Sequence, residues 1–207
     1  MLLVLPGGRA ESLDPPPRLG LARLRMRVFA AAVRRRVGDT ALTTAEVHYR
    51  HRGWNGPRAH PVADARAAVR ELVAHAPDVR IVLLGHSMGG RAALAAADEP
   101  QVVGTVLLAP WCEPVDGVEH LRGRRIVVLH DPADRVTSAR KSRAFATRAA
   151  RAGADVRYLD VPRGGHAMLA GAGGWHRLAA SAVTALLAAG PLPGAPPDAP
   201  APGLTPG

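Results

Sequence analysis

The sequence predicts an α/β fold: an open, mostly parallel sheet of about six strands with helices on both faces. Short apolar runs alternate with longer amphipathic runs about six times along the chain. Most of the short runs are apolar on both faces, as strands covered by two helical layers are. The repeated order of strand and helix favours parallel strands joined by right-handed crossovers.

Six segments are predicted to be strands because each is a short apolar run bounded by turn or helix signals. The run Ile81 to Leu84, for example, ends directly before a glycine-rich turn. The six predicted strands are Leu2 to Leu5, Ala45 to Tyr49, Ile81 to Leu84, Val102 to Leu108, Ile126 to His130 and Asp155 to Val161.

Five segments are predicted to be helices. From Leu21 to Val37, apolar residues recur every three or four positions and arginines occupy the other face. The second helix begins at Pro61, a favoured first-turn residue, and Pro77 ends it after Ala76. The other three run from Met88 to Asp98, Ser138 to Ala152 and Trp175 to Ala189.

The length of 207 residues suits one domain. We expect this domain to span residues 1–189. Residues 190–207 consist almost entirely of Pro, Gly and Ala. Such a composition buries too little apolar surface to become ordered, so a disordered tail is predicted there.

The net charge of +10 raises the question of a nucleic-acid partner. The basic residues are nearly all arginines scattered along predicted helix faces, and no basic stretch carries interleaved aromatic residues. We therefore expect a solvated basic surface and no nucleic-acid binding.

The composition also limits location and cofactors. Cys112 is the only cysteine, so an intramolecular disulfide is excluded. No apolar run approaches the roughly 20 residues that cross a bilayer, and Met1 to Leu5 reaches Pro6 too soon for a signal peptide. We expect a cytoplasmic protein without a membrane partner.

Phosphate-loop, dinucleotide and His-Glu-x-x-His patterns are absent from the sequence, so neither cofactor nor metal is expected.

The segment Gly85-His86-Ser87-Met88-Gly89 has the pattern Gly-x-Ser-x-Gly between a predicted strand and a predicted helix. In that context the serine occupies a strained turn that exposes its hydroxyl above the carboxyl edge of the sheet. The following helix N-terminus favours negative charge that develops nearby. Ser87 is therefore a candidate nucleophile.

A serine nucleophile needs a base and a carboxylate that orients the base. Asp131 and Asp134 follow the strand Ile126 to His130, and His166 follows the next strand. The order Ser, Asp, His along the chain is typical of this type of site. We prefer Asp134, because several residues are needed to carry a carboxylate out from the strand end, and Asp131 remains the alternative.

Two backbone amides should stabilise the oxyanion of the tetrahedral intermediate. Met88 follows the nucleophile and supplies the first. The loop after Leu2 to Leu5 supplies the second, from Gly8 or Arg9.

From Leu2 to about Leu187, the chain resembles the α/β-hydrolase superfamily. GHSMGG resembles its nucleophile elbow, HDPADRVT its acid loop, GGHAML its histidine loop and VLPGG its oxyanion loop. Many members carry His-Gly at the position of Pro6-Gly7. The resemblance implies a minimal form of this fold, and only a short segment occupies the place where many members insert a lid domain.

The expected function is a lidless serine hydrolase that cleaves a carboxylic ester or thioester of a small molecule. Trp111 and Trp54 follow strand ends and are candidate substrate-binding residues, although simple core packing explains either one equally well. Acyl transfer would use the same catalytic residues. The alternative is a noncatalytic ligand-binding protein that retains the fold.

Overall fold

The computed structural model describes residues 1–17, 19–38 and 42–194. Within these ranges, six strands form one parallel sheet in the order β2-β1-β3-β4-β5-β6. The fold class predicted from the sequence is therefore confirmed. The strands are β1 (Leu2–Leu5), β2 (Thr44–Glu46), β3 (Ile81–His86), β4 (Val102–Leu108), β5 (Arg125–His130) and β6 (Asp155–Asp160).

Helices cover both faces of the sheet, and each strand divides its side chains between two hydrophobic clusters. On one face, Leu2 and Val82 pack with residues of the first and last helices, while Leu3 and Leu83 face the other three helices. This alternation follows from the two-residue period of a strand. The helices are α1 (Leu21–Val37), α2 (His60–His75), α3 (Met88–Ala95), α4 (Ala139–Arg151) and α5 (Ala172–Leu187).

The sheet order places the switch in winding direction between β1 and β3. The chain moves from β1 outward to β2 and then returns to the other side of β1 with β3. Loops that leave β1 and β3 therefore diverge and open a crevice at the carboxyl edge of the sheet, which is the usual ligand-binding position in such folds.

The strand β2 is shorter than predicted. The sequence pattern predicts a strand from Ala45 to Tyr49, whereas the observed strand is Thr44–Glu46. Its partner β1 ends at Leu5, and Pro6 then follows, which has no amide hydrogen for a ladder. The β2 chain therefore loses its pairing partner.

The segment between β4 and β5 contains a single short 3₁₀ turn, Glu119–Leu121, so no lid domain is inserted there. None of the helices in the described ranges has the length and apolar character needed to span a bilayer. Of the predicted tail, residues 190–194 are described. The Arg125 guanidinium donates to the Gly190 carbonyl, and Leu192 packs against the core. Residues 195–207 lie outside the described residues.

Candidate active site

Ser87 forms the whole connection between β3 and α3. It has φ 54° and ψ −119°, a backbone conformation that non-glycine residues rarely adopt. Its amide donates to the Leu108 carbonyl at 3.1 Å, and its carbonyl accepts from the amides of Gly90, Arg91 and Trp111. These bonds hold the strained turn in place, so the serine side chain is presented at the carboxyl edge of the sheet.

The two glycines of the turn are required by close backbone contacts. A Cβ atom at Gly85 would lie 2.5 Å from the Gly89 carbonyl oxygen, and one at Gly89 would lie 2.1 Å from the Leu5 carbonyl oxygen. Helix α3 thus starts directly against the end of β1, and any larger residue would push it away.

Asp134 and His166 come together from the loops after β5 and β6. The Nδ1–H of His166 donates to Oδ2 of Asp134 at 2.9 Å, and the Asp134 side chain is fully buried. With its proton on Nδ1, a neutral His166 ring has an unprotonated Nε2 that can accept a proton. This is the arrangement that a general base requires.

The Asp134 carboxylate stays ionised although it is buried. Burial raises its pKa, but hydrogen bonds from the Val136 amide, from His166 and from the hydroxyl and amide of Thr137 outweigh burial and lower the pKa below the ordinary value. Asp134 can therefore stabilise a positive charge on His166 at neutral pH.

Asp131, the alternative carboxylate, has a different role. Its Oδ2 accepts from the amides of Gly164 and Gly165 at 2.8 and 2.6 Å, and its Oδ1 accepts from the Ala133 amide. Asp131 thus ties the loop after β5 to the loop that carries His166. Of the two carboxylates left open by the sequence, the structure brings Asp134 to the imidazole.

Thr137 and His130 also contact this pair, and the sequence analysis assigned no role to either. The Thr137 Oγ1 lies 2.8 Å from Oδ2 of Asp134 and 3.1 Å from Nδ1 of His166. Buried His130 lies with Nε2 3.3 Å from the same carboxylate oxygen. Asp134 and Thr137 lie three residues apart, a spacing typical of turns closed by side-chain hydrogen bonds. This spacing could have predicted the contact between the threonine and the carboxylate.

His86 joins the turn at Ser87 to the histidine loop. Its Nε2–H donates to the His166 carbonyl at 3.0 Å, and the two imidazole rings lie 4.7 Å apart between centroids. Burial, followed by the charges of His166 and Arg25, lowers the pKa of His86 to about 3, so this ring is neutral. Because His86 directly precedes Ser87, the contact fixes His166 beside the serine.

Ser87 and His166 line one cavity of about 420 Å³ at the carboxyl edge of the sheet. This volume is in the usual range for small-molecule sites. In the described part of the chain, no hydrogen bond joins the Ser87 hydroxyl to His166. Such bonds are often long in unliganded sites and tighten when substrate binds.

The loop that carries one candidate oxyanion donor contacts the side chain of Met88, the residue that carries the other donor. A Cβ atom at Gly8 would fall 2.4 Å from the Met88 Cε, so the loop after β1 passes directly over the start of α3. The Met88 amide begins this helix and has no acceptor within it. The Arg9 amide donates to the Arg52 carbonyl at 2.9 Å, which leaves Gly8 as the better candidate for the second donor.

The structure does not bring Trp54 and Trp111 to this cavity. Their rings contact each other edge to face at 6.0 Å, and the Arg91 guanidinium lies 4.1 and 4.7 Å from their centroids. Arg91 is also paired with Asp116 at 2.6 Å. The two tryptophans thus pack around Arg91 in a cation–π cluster. This agrees with core packing, which the sequence analysis gave as the alternative to substrate binding.

Metal ligands do not cluster in the described ranges, where no group of three or more His, Cys, Asp or Glu side chains could hold an ion. Cys112 is a buried free thiol whose pKa is raised, chiefly by burial.

The sequence and the fold both resemble known hydrolases. The family model for serine aminopeptidases of type S33 matches residues 46–125, a range that includes Ser87 but neither Asp134 nor His166. No curated protein sequence matches the chain significantly.

Solved structures match nearly the whole chain. ATU1826, a protein of unknown function from Agrobacterium tumefaciens that is assigned to the α/β hydrolases, has a TM-score of 0.70 at 15% identity, covering 94% of this chain and 88% of that one. Arabidopsis thaliana SOBER1 gives 0.63 at 13% identity, covering 90% and 98%. Est1E from Butyrivibrio proteoclasticus, with ferulic acid bound, gives 0.59 at 13% identity, covering 90% and 89%. The sheet order, the strand-to-helix turn at Ser87 and these likenesses identify the chain as a protein of the α/β-hydrolase fold.

Proposed function

We propose that this protein is a serine hydrolase that cleaves a carboxylic ester or thioester through an acyl-enzyme intermediate. The observation that carries the proposal is the hydrogen-bonded pair of Asp134 and His166. His166 lines the same cavity as Ser87, and Ser87 sits on a strained turn. The match to the serine aminopeptidase S33 model supports hydrolase activity in general. The choice of ester or thioester is our inference.

In the first half of the reaction, His166 acts as general base. Asp134 holds the proton of the imidazole on Nδ1, so Nε2 takes the proton of the Ser87 hydroxyl as Oγ attacks the acyl carbonyl carbon. The imidazolium that forms is stabilised by the ionised carboxylate of Asp134.

The tetrahedral oxyanion lies between the loop after β1 and the start of α3. The amides of Met88 and Gly8 donate to it, and loss of one such donor typically costs about 3 kcal/mol of transition-state stabilisation. His166 then returns its proton to the leaving alcohol or thiol. Ser87 keeps the acyl group.

In the second half, His166 takes a proton from water as the water oxygen attacks the acyl carbonyl carbon. The bond between Ser87 Oγ and the acyl group then breaks, His166 returns the proton to Oγ, and a carboxylic acid is released. An alcohol in place of water would give acyl transfer with the same residues. Est1E, a protein of the same fold, was solved with ferulic acid bound, which supports the inference that a carboxylic acid can be held on this fold.

Aminopeptidase activity is the second candidate, because the matched family model carries that description. An aminopeptidase needs an anionic group for the substrate ammonium. Among the described residues that line the cavity, Glu46 is the single carboxylate, and it already pairs with Arg23 and Arg27. We therefore favour ester or thioester cleavage.

The test is a kinetic panel of p-nitrophenyl esters, acyl thioesters and aminoacyl p-nitroanilides. We expect turnover of at least one ester or thioester, lowered about 10³-fold or more in kcat by Ser87→Ala or His166→Ala. Ser181→Ala and His75→Ala serve as matched controls, since both residues lie outside the cavity lining. Preference for the anilides would favour the second candidate, and thermal stabilisation by ligands without any turnover would favour a noncatalytic binding protein.

A further inference from the structure

The cavity at Ser87 has an excess of positive charge. Its lining includes four arginines and, within the described ranges, a single carboxylate, Glu46. Two of these arginines are neutralised locally, since Arg23 pairs with Glu46 and Arg52 pairs with Asp14 at 3.1 Å. Arg9 is exposed at the cavity rim.

Arg25 is the remaining arginine, and it has no partner among the residues that the structure describes. It projects from the first turn and a half of α1 into the cavity, and its Nε is buried. No hydrogen bond or ion pair to Arg25 is formed by any residue that the structure describes. Burial lowers the pKa of Arg25, but a guanidinium remains protonated at neutral pH.

A partly buried cation without a counter-ion is unfavourable unless something compensates for it. Other half-buried or buried arginines do have carboxylate partners: Arg66 pairs with Asp98 and Glu99, and Arg91 pairs with Asp116. Arg25 has no such partner among the described residues and it lines the cavity, so its guanidinium can pair with a ligand instead of with the protein.

Arg25 also lies close to the reacting centre. Its charge contributes to the lowered pKa of His86, after burial and the charge of His166. His86 directly precedes Ser87 and its ring contacts that of His166. Arg25, His86 and Ser87 all line the same cavity, so an anion bound to Arg25 would lie in the cavity that contains the serine.

We propose that the substrate cleaved at Ser87 carries a carboxylate, which the Arg25 guanidinium binds in the cavity. This inference rests on the proposed function and adds the substrate class. A carboxylate matches the planar guanidinium through two parallel hydrogen bonds, and its single negative charge balances the one unpaired cation. Arg25 is then a specificity-determining residue.

The carboxylate could belong to the acyl group or to the leaving group, and two matched pairs of esters distinguish these sources. p-Nitrophenyl hemiglutarate is compared with p-nitrophenyl butyrate for the acyl side. The 4-carboxyphenyl ester of butyrate is compared with phenyl butyrate for the leaving-group side. The quantity measured is the ratio of kcat/KM for the anionic ester to kcat/KM for its neutral partner.

We expect wild type to prefer the anionic member of at least one pair by tenfold or more. Arg25→Gln should lower that ratio at least tenfold, whatever its effect on the neutral ester, and Arg25→Lys should restore part of it. Arg36→Gln removes the same charge from the same helix about 16 Å away and should leave the ratio at its wild-type value. Thermal melting of each variant verifies folding.

The outcomes separate the two proposals. If wild type cleaves the neutral esters without an anionic preference, or if Arg25→Gln keeps the preference, this inference is overturned and the proposed function stands. If no ester is cleaved, the proposed function fails, and anion binding is then judged by the thermal shift that the hemiglutarate ester causes. A shift present in wild type and absent in Arg25→Gln would support the site, and equal shifts would reject it.

Discussion

Asp131 and Asp134 lie three residues apart in one loop, yet their carboxylates have different surroundings. Asp134 accepts from His166, whereas Asp131 accepts from the backbone of Gly164 and Gly165. One carboxylate orients the proposed base and the other anchors the loop that carries it. Mutation of the two should therefore separate activity from stability.

Asp134→Asn should lower kcat by about 10³- to 10⁴-fold, because an amide disfavours the Nδ1–H tautomer of the imidazole. Asp131→Asn should instead lower the free energy of unfolding by about 1–3 kcal/mol, since one side of the amide no longer accepts from the glycine amides. Ester kinetics and urea denaturation of both variants provide the measurements. The reverse pattern, with activity lost only in Asp131→Asn, would contradict the assignment.

At the level of single residues, the sequence can predict candidate site residues that lie in the loops after predicted strands. Ser87, Asp134 and His166 each lie in the turn or loop that follows a predicted strand, and parallel strands bring such loops to one edge of the sheet. Arg25 could not be found in this way. Its significance depends on which carboxylates fold near it, and an unpaired cation is recognisable only when every tertiary neighbour is known.

Helix α3 and strand β1 meet more closely than any side chain would allow. A Cβ at Gly89 would lie 2.1 Å from the Leu5 carbonyl oxygen and 2.4 Å from that of Pro6, both of which are backbone atoms that cannot rotate away. The contact sets the distance between the Ser87 turn and the oxyanion loop. It therefore links the packing of two elements to the geometry of the site.

Gly89→Ala should destabilise the fold by about 2 kcal/mol or more and lower esterase activity of the remaining folded protein, because α3 must move away from β1. Gly174→Ala is the matched control. Gly174 lies in α5 with open space around its Cα, so alanine there should stabilise the helix by about 0.5–1 kcal/mol. Thermal melts and kinetics decide the matter, and a Gly89→Ala protein as stable as wild type would contradict this packing.

Some element boundaries match the prediction, whereas α3 ends at Ala95, three residues before its predicted end at Asp98. Helix α1 matches its predicted span, and β4 does as well. The strand β2 differs because its length depends on where its neighbour β1 stops pairing, which local sequence does not encode.

Two histidines, His86 and His130, are buried in the core of the protein. Burial lowers the pKa of His86 to about 3, and it lowers the pKa of His130 as well, against the opposing attraction of Asp134. Below the ordinary histidine value of 6.5, the unfolded chain takes up protons that the folded chain refuses. The stabilising effect of a neutral His86 is therefore complete above pH 6.5 and is lost as the pH falls towards 3, and His130 acts in the same direction.

We expect the free energy of unfolding to decrease by about 1.4 kcal/mol per pH unit between pH 6 and pH 4 because of His86. His86→Gln keeps a side-chain N–H for the His166 carbonyl and should make this dependence shallower by about that amount. The exposed His75→Gln should leave the slope as in wild type. Urea denaturation at several pH values is the measurement, and an unchanged slope in His86→Gln would contradict a buried, neutral imidazole.

The central claim is that Ser87 is a nucleophile activated by His166, and labelling with a fluorophosphonate tests it most directly. The reagent forms a phosphorus–oxygen bond to an activated serine with loss of fluoride, and peptide mapping by mass spectrometry locates the adduct. We expect one adduct on Ser87 in wild type, none in Ser87→Ala, and labelling at least about 100-fold slower in His166→Ala. Labelling of His166→Ala at the wild-type rate, or an unmodified Ser87 in active wild type, would contradict the account.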